Sequence, residues 1–236
     1  MKKLQAVPNK ISAIENALQI AREEGETVLV GTVPQHVRLI CFDMDSTIIK
    51  WETINEIARV AGLLDKISPL TLRAMEGKDD FTASFLKRIK MLQGIPVTAL
   101  EDIASRMPFA DGLDVLIPKL HKLGIHTAVI TGNFNIFGNY LKKTLGFNHI
   151  YTTSPEVKNG TLTGTICGSI IDAPAKSSIL IKICAENNIP LESTIAVGDG
   201  ANDIPMLGTA AAAIAYNANS AKEGLDEAIL PLLELY

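Results

Sequence analysis

Cysteine, net charge and long apolar runs are all scarce in this chain, and each shortage excludes something. Only three cysteines occur in 236 residues, Cys41, Cys167 and Cys184. They are odd in number and far apart, with no C-x-x-C pair, which argues against a disulfide framework and against a thiolate zinc site. Lys and Arg number 22 against 26 Asp and Glu, a net charge of −4. With neither a basic stripe nor an acidic tail, nucleic acid is not expected as a partner. No run approaches the roughly 18 apolar residues that a membrane helix needs, so no membrane partner is expected. Met1-Lys2-Lys3 opens like a signal peptide, but Gln5, Pro8, Asn9 and Lys10 interrupt any apolar stretch before it forms. The chain therefore reads as soluble and cytoplasmic. The four histidines, His36, His121, His126 and His149, show no metal-ligand spacing. What the chain does have is core: 47% of its residues are hydrophobic, enough for one large domain or a domain with an insertion.

Residues 9 to 24 place Ile11, Ile14, Leu18 and Ala21 at helical spacing, with Asn9 to cap the start and Gly25 to end it. A linker then leads to Val37-Arg-Leu-Ile-Cys-Phe42, largely apolar and abruptly acidic at Asp43, which reads as a buried parallel strand. Residues 51 to 110 hold no convincing strand and read as consecutive helices. Thr53-x-x-Glu56 and Thr98-x-x-Glu101 fit the capping box, and Asp80 can cap a helix through Phe85 and Ile89. Beyond residue 110 helix and strand alternate, with strands expected at Ile125 to Ile130, near Ile150, at Thr194 to Val197 and at Ala212 to Ala215. That alternation predicts a parallel sheet covered on both faces. Lys158-Asn159-Gly160 signals a hairpin that interrupts it. The expected architecture is α/β: residues 1–36 form an N-terminal extension, 37–50 and 111–236 a discontinuous Rossmann-like core, and 51–110 a helical cap inserted after the first strand.

In such sheets ligands lie at the carboxyl ends of the strands, and four polar clusters follow strands here. Asp43-Met44-Asp45-Ser46-Thr47 puts two carboxylates on a strand-to-loop turn. Thr131-Gly132-Asn133 offers a hydroxyl and free amides, which suit an anion. Lys176 opens a helix, where a cation opposes the dipole. Gly198-Asp199-Gly200-Ala201-Asn202-Asp203 is a glycine-rich turn with two carboxylates and an amide, a composition suited to a hard cation such as Mg²⁺.

In order and spacing these clusters resemble the four motifs of the haloacid dehalogenase-like (HAD) superfamily of phosphatases. Phe42 to Thr47 and Val197 to Asp203 resemble the phosphoserine phosphatases among them. The resemblance covers about residues 37 to 220. It implies a Mg²⁺-dependent phosphoric monoester hydrolase that releases L-serine from O-phospho-L-serine, the last step of serine biosynthesis, acting on this small molecule as a monomer or homodimer. Asp43 would be the nucleophile that forms an aspartyl-phosphate, and Asp45 the general acid and base. Metal ligands would come from the Asp43 side chain, the Asp45 carbonyl and Asp199. Thr131, Gly132, Lys176 and Asn202 would bind the phosphoryl group, and Asp203 would support the metal shell and Lys176. In the cap, Glu52, Met75, Phe81 and Arg88 match residues that contact the substrate, the arginine clamping its carboxylate. Phosphoserine phosphatases commonly carry Ser-Gly-Gly where this chain has Thr131-Gly132-Asn133. The alternatives are a related phosphatase or phosphotransferase for another small phosphorylated amino acid or amine, and a catalytically silent binding protein on the same fold.

Overall fold

The computed structural model describes residues 2–4, 9–75 and 78–233, without the side chains of residues 3, 4, 75 and 81. The chain begins β1 (Lys2–Leu4), α1 (Lys10–Glu24), β2 (Val28–Gly31) and β3 (Leu39–Phe42). Four helices follow, α2 (Thr53–Val60), α3 (Leu64–Met75), α4 (Phe81–Met91) and α5 (Val97–Ser105). Then come α6 (Leu113–Lys122), β4 (His126–Phe134), α7 (Asn135–Leu145), β5 (His149–Lys158), β6 (Thr161–Cys167) and α8 (Ala173–Glu186). The chain closes with β7 (Thr194–Gly198), α9 (Ile204–Thr209), β8 (Ala212–Ala215) and α10 (Leu225–Leu233).

The strands form one sheet in the order β1-β2-β8-β7-β3-β4-β5-β6, parallel except where β2 meets β8 and β5 meets β6. β3 lies between β4 and β7, its successors on opposite sides, so the strand order reverses at its carboxyl end. Alternation along β3 explains the layers: Leu39 and Cys41 pack with α1, α8 and α9, whereas Ile40 and Phe42 pack with α6, α7 and α10.

Helix α1 begins and ends as its sequence predicts. The Asn9 side chain accepts from the Ile11 amide, and Gly25 adopts φ 68°. A Cβ on Gly25 would lie 2.1 Å from the Ser220 carbonyl, so glycine is required twice over. The segment after it is no linker, however, because Val28, Leu29 and Val30 are buried and pair antiparallel with β8. A run of three apolar residues is too short for periodicity to separate a strand from a connection. β5, expected as a short strand, runs on past the parallel core to pair with β6 in the hairpin. Neither threonine capping box forms. Thr53 is already helical behind the N-cap Glu52, its hydroxyl bonded elsewhere, and α5 starts behind Pro96 with no side-chain cap. Asp80 does cap α4, accepting from the Ala83 amide at 2.7 Å.

The four inserted helices leave and rejoin the core at one place, where Lys50 N–H donates to Pro108 (2.8 Å) and Ala110 N–H to Ile48 (3.0 Å). They touch the sheet again at its far edge. Gly94 donates to Leu162 (2.8 Å), Leu162 to Ile95 (2.8 Å) and Val97 to Gly160 (2.9 Å).

One pair of histidines sets an acid limit on the sheet. His126 Nδ1 and His149 Nε2 are 3.1 Å apart with stacked rings, and burial, followed by the charge of His126, holds His149 below the usual imidazole range. A base depressed in the folded state takes up more protons when unfolded, so its stabilising contribution is lost as pH falls through about 6.5 and below. Replacing His149 with Gln is expected to shrink the drop in Tm between pH 7.5 and 5.5. An unchanged drop would mean that the pair does not limit acid stability.

Candidate active site

Asp43 leaves the end of β3 with its amide bonded to the Val197 carbonyl of β7 (3.0 Å), so the sheet itself fixes its backbone. The loop after it winds tightly, Ile48 and Ile49 both donating to Met44, and Ser46 is held at φ 56°, a strained conformation for serine. Lys176, in the first turn of α8, reaches across the interior. Its ammonium lies 2.5 Å from Asp43 Oδ1 and 2.7 Å from Asp203 Oδ1, and it is 1% exposed. The other Asp203 oxygen accepts the amides of Asp199 and Gly200, both at 3.1 Å. With both oxygens engaged, Asp203 is a brace for Lys176 and the glycine-rich turn. Asp199 is touched more loosely, by Thr47 Oγ1 at 3.5 Å and by Asn217 Nδ2 at 3.3 Å.

Three buried carboxylates thus face a single ammonium. Oxygens of Asp43, Asp199 and Asp203 all lie within 4.8 Å of one another. Burial and then Asp203 push Asp43 up to about 7 despite Lys176, and burial with the same neighbours pushes Asp199 well above the carboxylate range. Burial alone would lower Lys176, but Asp203 and Asp43 outweigh it and hold the ammonium charged. A hard-oxygen donor set short of positive charge fits a divalent cation.

Asp45 lies apart from that cluster. Its Oδ1 accepts Thr53 Oγ1 at 2.6 Å and its Oδ2 the Thr53 amide at 3.1 Å, at the start of α2. Asn133 Nδ2 reaches both oxygens, at 3.1 and 2.9 Å. Burial pushes Asp45 up to about 6 against these donors. β4 runs on to Phe134, so Thr131, Gly132 and Asn133 lie within the strand, past an irregularity after Ile130, and not behind it as expected; the Asn133 amide is not free but donates to the hydroxyl of buried Thr131 at 3.1 Å.

One cavity of about 720 Å³, its mouth included, joins these groups to the inserted helices. Its lining brings Asp43, Asp45, Thr131, Gly132, Asp199 and Asn202 of the core together with Glu52, Ile54, Ile57, Phe85, Arg88 and Ile89 of the inserted segment. Glu52 accepts Ser46 Oγ at 2.9 Å and is pushed well up by burial and then by the charge of Asp45. Arg88 is buried, its Nη1 donating to Thr71 Oγ1 (3.2 Å), its Nε to the Ser84 carbonyl (3.3 Å), and its guanidinium 5.9 Å from the Phe85 ring. Lys176 and Asp203 stand behind the cavity wall. The side chains of Met75 and Phe81 lie outside the described residues. The histidines and cysteines take no part in the cavity. Thr53, Thr71, Asn133 and Asn217 were not singled out by sequence reasoning as site residues. Only Asn133, inside a strand-end motif, carried a signal that could have found it.

Residues 40–208 match the family model for haloacid dehalogenase-like hydrolases. A phosphoserine phosphatase of Archaeoglobus fulgidus is 42% identical over 188 residues, 80% of this chain and 55% of the relative. One of Idiomarina loihiensis is 42% identical over 187 residues, 79% of this chain and 85% of the relative. The chain spans about half the length of the Archaeoglobus relative. A solved phospho-aspartyl intermediate analogue of phosphoserine phosphatase superposes with a TM-score of 0.71 at 40% identity, covering 75% of this chain and 84% of its own. Strand-end carboxylates, the buried lysine and the inserted helices agree with that match, and the chain belongs to the haloacid dehalogenase-like hydrolase family.

Proposed function

We propose that the chain hydrolyses O-phospho-L-serine to L-serine and phosphate, the terminal step of L-serine biosynthesis. The observation that carries this reading is that one cavity brings Asp43, Asp45, Thr131 and Gly132 of the core together with Glu52 and Arg88 of the inserted segment. An amino acid is a zwitterion, and an anion and a cation facing it answer its ammonium and its carboxylate. Names borne by relatives about 42% identical support the same substrate. Residues 51–110 act as the cap that reads the amino acid, 37–50 and 111–236 as the catalytic core, and 1–36 as an extension of its sheet.

Asp43, freed of its proton, attacks phosphorus as the bond to the serine oxygen breaks, giving an aspartyl-phosphate. Asp45 delivers its proton to that leaving oxygen. It then takes a proton from the water that attacks the same phosphorus, and Asp43 is released with inorganic phosphate. Thr131 and the Gly132 amide hold phosphoryl oxygens, with Asn202 at the same wall, while Lys176 fixes Asp43 and answers its charge. Asp43, Asp199 and the Asp45 carbonyl would hold Mg²⁺, which would supply the charge that lets a carboxylate approach a phosphate dianion.

A panel of phosphomonoesters tests the substrate. O-phospho-L-serine is expected to exceed phosphoethanolamine, which lacks the carboxylate, by at least about tenfold in kcat/KM. Equal turnover of the two would favour a phosphatase for amines. Dialysis against EDTA is expected to abolish turnover and Mg²⁺ to restore it, and activity that survives chelation would refute the metal.

A further inference from the structure

Asp45 has to act twice, first as acid and then as base, and both duties need its carboxyl to face the reacting oxygen. A free aspartate rotates about two bonds, so something must hold it. The inserted helices provide one hold, through the Thr53 amide and hydroxyl. The second comes from the core, where Asn133 Nδ2 spans both oxygens at 3.1 and 2.9 Å. The orientation of that amide is determined. Asn133 Oδ1 accepts the Phe134 amide at 2.9 Å, so the nitrogen is the end left to face Asp45, and a flipped amide would set oxygen against carboxylate. Asn133 N–H in turn donates to Thr131 Oγ1, so one short segment aligns the phosphate hydroxyl and the acid–base carboxyl together.

We propose that Asn133 is a positioning residue that keeps the Asp45 carboxyl aimed at the leaving-group oxygen. The proposal rests on the phosphatase reading above, and a comparison of leaving groups separates the two. Up to formation of the aspartyl-phosphate, an alkoxide needs the Asp45 proton and a p-nitrophenolate does not. The ratio kcat/KM covers only the steps to that point when the transfer is irreversible. Asn133→Gly and Asn133→Ala are each expected to lower kcat/KM for O-phospho-L-serine by about 10–100-fold, part of what general acid catalysis contributes. For p-nitrophenyl phosphate the expected loss is less than about threefold, so kcat/KM becomes steeper in leaving-group pKa.

A loss of stability alone would reduce both substrates alike, and the two variants guard against one failing to fold. Equal losses on both substrates would overturn the proposal by making Asn133 a shaper of the phosphate loop, and so would no loss on either. A wild-type enzyme that prefers another alkyl phosphate would overturn the substrate reading, with the alkyl-to-aryl contrast then read on that ester. A wild-type protein that cleaves no phosphomonoester would overturn both.

Discussion

Asp43→Asn is expected to lower kcat by about four orders of magnitude or more while leaving the fold at least as stable as before. The amide has nearly the shape of the carboxylate but cannot attack phosphorus, so no aspartyl-phosphate forms. The stability half follows from charge. Without a metal, burial and Asp203 hold the Asp43 pKa near 7, well above an unfolded aspartate. A carboxyl raised on folding binds more protons in the folded state, so the metal-free wild type loses stability as pH rises from about 4 to 7. Asparagine does not ionise and so carries no such penalty. At pH 8 in EDTA the variant should therefore melt no lower than wild type, and Mg²⁺ should raise its Tm by less. Phosphate release by the variant at more than a percent of the wild-type rate would refute the nucleophile. A large fall in Tm would instead mark Asp43 as structural.

Arg88→Ala is expected to lower kcat/KM for O-phospho-L-serine by about two to three orders of magnitude, the cost of leaving a carboxylate buried without its partner. For p-nitrophenyl phosphate, which has no carboxylate to clamp, the loss should stay within severalfold. The cavity gives the reason for the contrast. Arg88 is held by Thr71 and the Ser84 carbonyl, and it shares the cavity lining with Ile54, Ile57, Phe85 and Ile89. No other described residue that lines the cavity is positively charged. Arg88→Lys keeps the charge but not the planar fork, and should recover only part of the loss. Equal losses on both esters would show that Arg88 shapes the cap without reading the amino acid.

The legible features of the sequence were those in which neighbouring residues determine the outcome. Asn9 and Gly25 bound α1 because both act within two residues of their own helix. The strand-end motifs stood out because an apolar run stops at a carboxylate or a glycine. What escaped was decided by residues far apart in the chain. Thr53 looked like a helix cap, yet its hydroxyl goes to Asp45, which only the fold brings near. Asn133 meets Asp45 across 88 positions, and Asn217 meets Asp199 across 18. β2 became a strand because β8 offered it an edge, and no pattern within Val28 to Gly31 announces that edge.

The three hydrogen bonds that Gly94, Ile95 and Val97 share with the β6 hairpin, Ile95 as acceptor, do more than tether the inserted helices. β6 is the last strand of its sheet, and an outermost strand presents amides and carbonyls that any other extended chain can pair with. The link between α4 and α5 occupies those groups at Gly160 and Leu162. The same helices that bring Glu52 and Arg88 to the cavity therefore also guard the molecule against edge-to-edge self-association. Exchanging them for a different set would expose that strand unless the replacement covers it.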